Sequence, residues 1–273
     1  MKVEPIEPHG FCAGVTHALK LALSLEGVYC LHELVHNELV VDGLRRRGFR
    51  FVESVNEIPE GATVLFSAHG VGPDVRRAAE ARRLHVVDAT CPFVDRVHRE
   101  AKAFAARGLP VVIVGNSGHA EVKGIAGELA SCTIVRDVAE AAGIRAAAVG
   151  VVSQTTMNAD EVREIVDELR RHCTVEAAAQ VCGATKERQD AVKAYGGDAV
   201  LVLGSGNSSN TRRLCEVAPC RAFRAGTMDE VKAIDFGGVR RLGVPSGAST
   251  PESFFAEAVA WLRANRGDGG AAE

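Results

Sequence analysis

Six times along this chain a short run of aliphatic and β-branched residues ends abruptly in a loop of small polar residues. Val28–Leu31 runs into His32–Asn37, Thr63–Phe66 into Ser67–Gly70, and Pro110–Val114 into Gly115–Glu121. Ala147–Val152 runs into Ser153–Thr156, Ala199–Leu203 into Gly204–Asn210, and Arg240–Val244 into Pro245–Ser249. Runs this short and this apolar suit strands buried on both faces of a parallel sheet. Helical patterns such as Asp74–Arg83, Asp160–Arg171 and Pro251–Arg263 alternate with them. Strands that alternate with helices predict parallel sheets with right-handed crossovers. All six polar loops then lie at the carboxyl ends of their strands, where open α/β sheets bind ligands.

Three of the eight cysteines keep time with this pattern. Cys12 follows a predicted strand at Val3–Ile6, Cys91 one at His85–Val87 and Cys182 one at Thr174–Val181. A helix is predicted after each, over Gly14–Leu25, Phe93–Arg107 and Ala184–Tyr195, with Pro92 as a start signal for the second. The spacings, 79 residues from Cys12 to Cys91 and 91 from Cys91 to Cys182, predict three similar α/β lobes. Each lobe would bring one cysteine and two polar loops to a common centre. The expected divisions are 12–91, then 92–181, then 182–264 joined by 1–11, with a flexible polar tail over 265–273.

Composition narrows the chemistry. Of 273 residues 47% are hydrophobic but only 5% aromatic, which favours helix-on-sheet packing over a β-sandwich. Balanced charge, −3 from 32 basic and 35 acidic side chains, excludes a basic nucleic-acid binder. The one basic cluster, Arg45-Arg46-Arg47, fits the solvated last turn of a helix. Without a signal-peptide pattern or a long apolar stretch, the protein is expected to be cytoplasmic. Cysteines in a reducing compartment are metal ligands or small hydrophobes rather than disulfides.

A thiol at a helix N-terminus is readily ionised and becomes a better metal ligand. Cys12, Cys91 and Cys182 share that setting, whereas Cys30, Cys132, Cys173, Cys215 and Cys220 fall inside elements and read as structural. The bland alternative is three cysteines buried at helix–sheet contacts. No C-x-x-C pair supports zinc, and three thiolates from three lobes suit an iron–sulfur cube, leaving one iron for a substrate oxygen.

The loops carry their own alternatives. Ser208, Ser209 and Asn210 precede a helical run and either bind an anion or cap that helix; Ser249 is equally ambiguous. His36, His69 and His119 occupy matched strand-end loops and suit an anion, with partial positive charge near neutral pH. Glu121 is either a proton donor with a raised pKa or a first-turn acid complementing a helix dipole. Thr155 either relays a proton beside it or, with Thr156, caps the next helix. His9, His17, His32, His85, His98 and His172 suggest no role.

Taken in order, the strings Pro8–Val15, Val35–Asn37, Ser67–Val71, Asp88–Pro92, Gly118–Val122, Ser153–Thr156, Asn207–Asn210 and Gly247–Ser249 resemble the 4-hydroxy-3-methylbut-2-enyl diphosphate reductase family over about residues 3–260. The resemblance implies a pseudo-threefold trefoil around one [4Fe–4S] cluster per chain, held by Cys12, Cys91 and Cys182. It implies diphosphate contacts from His36, His69, His119, Ser208, Ser209, Asn210 and Ser249. It implies Glu121 as proton donor with Thr155 beside the substrate hydroxyl. Reductive removal of that hydroxyl, the last step of the methylerythritol phosphate route, would yield isopentenyl and dimethylallyl diphosphate. Ferredoxin or flavodoxin is the implied electron donor. The chain departs from the family pattern at His9, Ala120 and Gly183, where Ala120 stands in place of a frequent proline. A cluster-holding redox sensor and a metal-free diphosphate-binding module are the competing readings.

Overall fold

A computed structural model describes residues 1–178 and 181–266 of the chain. It opens with strand β1 (Lys2–Pro5) and helix α1 (Ala13–Leu23). Then come β2 (Tyr29–Leu31), α2 (Glu38–Arg46), β3 (Arg50–Val52), β4 (Thr63–Phe66), α3 (Pro73–Ala81) and β5 (His85–Asp88). The middle section holds α4 (Pro92–Ala106), β6 (Val111–Val114), α5 (Ala120–Gly127), β7 (Thr133–Val135), α6 (Val138–Ala141), β8 (Ala148–Ser153), α7 (Ala159–Arg170) and β9 (Thr174–Ala177). The last contains α8 (Gly183–Lys193), β10 (Ala199–Leu203), α9 (Ser209–Glu216), β11 (Arg221–Ala225), α10 (Met228–Ala233), β12 (Arg241–Val244) and α11 (Glu252–Arg266).

The strands form three four-stranded sheets, ordered β3-β2-β4-β5, β7-β6-β8-β9 and β11-β10-β12-β1, and every pairing is parallel. These are the three α/β lobes that the alternating pattern predicts. One topology repeats in all three. The first strand of each lobe lies inside, the second goes to one edge, and the chain crosses back to the third strand on the other side of the first. In the last sheet the amino-terminal β1 takes the edge that β5 and β9 fill in the others. Chain direction across the sheet therefore reverses between β2 and β4, β6 and β8, and β10 and β12. Loops leaving the carboxyl ends of such a pair diverge and leave a crevice.

The chain divides into two compact units. One, comprising residues 1–13, 36–42 and those from 183 onward, contains the β11-β10-β12-β1 sheet. Alternate residues of β10 supply its two cores. Ala199, Leu201 and Leu203 pack with Phe254, Ala258 and Leu262 of α11. Val200 and Val202 pack with Val192 of α8 and Leu214 of α9. The other unit, 14–35 and 43–182, contains the remaining sheets. There Val112, Val114, Val149 and Val151 face α7, while Val111, Ile113 and Val152 face α4 and α5. A Cβ at Gly150 would fall 2.3 Å from the Phe104 ring, so glycine at this point of β8 is what lets α4 pack so closely.

Three strands lie outside both the six apolar runs and the strands predicted before the three cysteines: β3, β7 and β11. All three are the second strand of their lobe and lie at a sheet edge. With one side unpaired they need no continuous apolar run, and β11 interleaves Arg221 and Arg224 with Ala222 and Phe223. Strand β9 ends at Ala177, short of the expected 181. Helix α11 reaches Arg266, with Asn265 Nδ2 donating to the Trp261 carbonyl at 2.8 Å. The expected tail beyond that lies outside the described residues. Among the described residues, no helix is long and apolar enough to cross a membrane.

Candidate functional site

One hydrogen bond recurs in all three lobes. After β5, the Cys91 N–H donates to the Ala68 carbonyl in the loop leaving β4, at 3.0 Å. After β9, Cys182 N–H donates to the Thr155 carbonyl beyond β8, at 3.1 Å. After β1, Cys12 N–H donates to the Ala248 carbonyl beyond β12, at 3.0 Å. Each of these cysteines immediately precedes a helix, and Cys91 is the N-cap of α4, with Pro92 in its first turn. The fold thus sets each thiol at a helix N-terminus. The Cys12 loop is also held by the Gly10 N–H donating to Ser246 Oγ at 2.9 Å, and by Arg188 Nη2 donating to the Gly10 carbonyl at 2.9 Å.

Cys12, Cys91 and Cys182 are each partly exposed. Of the other five, Cys30 is the buried one, its thiol pushed up to about 12 by burial. Burial pushes Cys215 up to about 11 and also raises Cys132, Cys173 and Cys220. Those five are poor thiolates, as expected of structural cysteines.

Glu121 lies in the first turn of α5, only 1% exposed. Its Oε1 accepts from the Thr155 N–H at 2.7 Å, and its Oε2 from the Thr155 hydroxyl at 3.0 Å. Burial raises its carboxyl to about 7 against the opposing pull of both Thr155 bonds. A carboxyl held there is an effective proton donor at neutral pH. Thr155 and Thr156 do not cap the next helix: the cap of α7 is Asn158, which accepts from the Asp160 N–H at 3.0 Å.

His119 is the N-cap of α5, and its Nδ1 accepts from the Glu121 N–H at 3.2 Å. That bond leaves Nε2 as the ring atom that can donate to an anion. The same cap fixes the start of α5, where Ala120 lacks the rigidity of a proline. His69 meets His119 edge to face, with ring centroids 5.4 Å apart.

In the first unit, Ser208 is the N-cap of α9, and its Oγ accepts from the Thr211 N–H at 3.3 Å. Ser209 and Asn210 lie buried in that helix's first turn. Neither polar atom of the Asn210 side chain has a hydrogen-bond partner, although the residue is 4% exposed. A buried amide with its bonds unmade is left to pair with a group from outside the chain. Ser249 is no helix cap, since its hydroxyl donates to the His36 carbonyl at 3.1 Å. His36 follows β2 in the chain but belongs to this first unit.

Further polar groups at the switch points escaped the sequence reading of individual roles. Ser67 Oγ and Ser153 Oγ, at the ends of β4 and β8, are buried without a partner. Gln154 joins the loops beyond β6 and β8, its Oε1 accepting from the Asn116 N–H at 3.1 Å and its Nε2 donating to Thr156 Oγ1 at 2.8 Å. All three belong to strings singled out as polar loops, but their burial is invisible in a linear sequence.

Fold and site together define a three-lobed α/β protein with buried polar groups gathered where strand order reverses. The chain belongs to the LytB protein family, whose model matches residues 3–263. It is 42% identical over 284 residues to the 4-hydroxy-3-methylbut-2-enyl diphosphate reductase of Magnetococcus marinus, covering 97% of this chain and 92% of that protein. Against the reductase of the same name from Pseudomonas aeruginosa it is 40% identical, covering 96% and 90%. Among solved structures, it resembles the E-1-hydroxy-2-methyl-but-2-enyl-4-diphosphate reductase of Plasmodium falciparum with a TM-score of 0.91 at 30% identity, over 97% of this chain and 89% of that one.

Proposed function

We propose that this chain is a 4-hydroxy-3-methylbut-2-enyl diphosphate reductase. It converts the allylic alcohol to isopentenyl and dimethylallyl diphosphate, taking up two electrons and two protons and releasing water. The observation that carries this reading is the thrice-repeated tie between a cysteine immediately before a helix and a polar switch-point loop. Three equivalent, partly exposed thiols fit the ligand set of an iron–sulfur cluster, and Cys12, Cys91 and Cys182 would hold it. A [4Fe–4S] cluster supplies electrons one at a time and an electrophilic iron.

The chain's own residues bind and protonate. Asn210 makes the hydrogen bonds it lacks with the diphosphate, and Ser209 and the α9 N-terminus offer further donors. His119 donates through Nε2, and His36, His69, Ser208 and Ser249 complete the anion site. Glu121, protonated near neutral pH, gives its proton to the departing hydroxyl, so that the C–O bond breaks with loss of water. Thr155 holds both carboxyl oxygens and keeps the proton in line. The second electron and a second proton complete the allylic product, and protonation at one end or the other sets which isomer forms. The proposed electron source is a small one-electron carrier of the ferredoxin or flavodoxin type. A sensor without turnover would leave Glu121 and Thr155 idle, and a metal-free binding module would leave the cysteines idle.

The test is anaerobic iron and sulfide analysis alongside turnover with dithionite as reductant. About four irons per chain and reduction of the substrate support the proposal. An iron-free protein that stays colourless after anaerobic reconstitution rejects it, and a brown protein without turnover leaves the sensor.

A further inference from the structure

His98 has no part in the proposed reaction, yet it lies where three site-bearing segments of one unit meet. It projects from α4, the helix capped by Cys91, and is 5% exposed. A Cβ on Gly70, the residue after His69, would lie 3.1 Å from His98 Nε2. A Cβ on Gly124 of α5, the helix that starts at His119 and Glu121, would lie 3.3 Å from His98 Cε1 and 3.4 Å from the Gly70 carbonyl oxygen. Both glycines therefore make room for one imidazole, and the ring fixes the separation of the His69 loop from α5.

Its orientation is fixed from the far side. His98 Nδ1 is 3.1 Å from Glu128 Oε1, at the C-cap of α5, and Lys102 Nζ lies 3.3 Å from the other carboxylate oxygen. The Glu128 side chain is nearly as buried as the imidazole. With Nδ1–H donating to the carboxylate, the ring has one allowed orientation, while Nε2, buried and without a hydrogen-bond partner, lies against Gly70. A plain hydrophobe would fill this space at less cost than an imidazole with an unmade bond.

We propose that His98, oriented by Glu128, is a positioning residue for the diphosphate subsite. It sets the spacing of the His69 loop and the His119 end of α5, so that both imidazoles are preorganised for one anion. The inference rests on the proposed function, and on no change in the protonation of His98.

The test uses three variants of the full chain: His98→Phe, which keeps a ring but loses the bond; Glu128→Ala, which frees the ring from the opposite side; and His98→Asn, whose amide nitrogen takes the place of Nδ1. Binding of inorganic pyrophosphate is measured by calorimetry on cluster-free protein, and KM and kcat on reconstituted protein. Losing a charge-assisted hydrogen bond that orients the donors should weaken pyrophosphate binding and raise KM by about tenfold in His98→Phe and Glu128→Ala. Iron content and kcat should change much less, and His98→Asn should recover most of the affinity. If both disrupted variants bind pyrophosphate like the parent, the positioning role is wrong. It is equally wrong if activity falls only in step with iron content or melting temperature. A parent protein that neither binds pyrophosphate nor turns over would overturn the proposed function instead, so the two failures are distinct.

Discussion

Replacing Glu121 with glutamine separates a buried proton donor from an ordinary acid by the pH dependence of stability alone. In the folded protein the carboxyl is raised from its ordinary value of 4.5 to about 7, with burial as the cause. The folded state therefore binds this proton more tightly than the unfolded chain does. Below about pH 4.5 the group is neutral in both states and costs nothing. As pH rises through about 7 the buried carboxyl must ionise, and the folded state loses about 3 kcal/mol. Glutamine keeps an acceptor for the Thr155 N–H and never ionises. The variant's stability relative to the parent should thus improve by about 3 kcal/mol between about pH 4.5 and about pH 8. In a chain of this length that is a relative gain in melting temperature on the order of 6 °C. Melting curves of cluster-free protein across this range measure it without any contribution from iron. A constant gap between the two proteins at every pH would refute the buried-acid assignment. In the reconstituted enzyme, parental kcat should fall as pH rises through about 7, while the glutamine variant should be slower by about 10²-fold with no such fall.

Other changes test separate parts of the site. Cys91→Ser should abolish bound iron, whereas Cys30→Ser should retain it and cost about 1–3 kcal/mol of stability for the buried hydroxyl; iron analysis and urea unfolding read the two effects. Asn210→Ala removes an unpaired buried amide, so it should stabilise the ligand-free protein by about 1 kcal/mol while weakening pyrophosphate binding several-fold, as melting and calorimetry would show. Gly70→Ala places a Cβ at a φ of +74° and 3.1 Å from His98. It should cost about 1–2 kcal/mol and lower substrate affinity, seen in unfolding and in KM.

Strand-buried runs such as Val111–Val114 and Ala199–Leu203 stand out in the sequence because a strand covered on both faces needs apolar residues throughout, and the loops that end them carry the polar chemistry. The same reasoning fails for β3, β7 and β11, whose edge positions relax that demand. It also passed over His98, because one histidine on a helix has no meaning until Gly70, Gly124 and Glu128 surround it.

By itself the sequence determined the parallel α/β lobes, the three cysteines at helix starts and the six polar loops, because local periodicity and capping chemistry are written in neighbouring residues. Only tertiary structure decided that Glu121 lies buried on Thr155. It also decided that the Asn210 side chain is left without hydrogen-bond partners. Burial and hydrogen-bond pairing arise between residues tens to hundreds of positions apart, and it is those long-range contacts that set proton affinity and decide which buried polar groups find a partner.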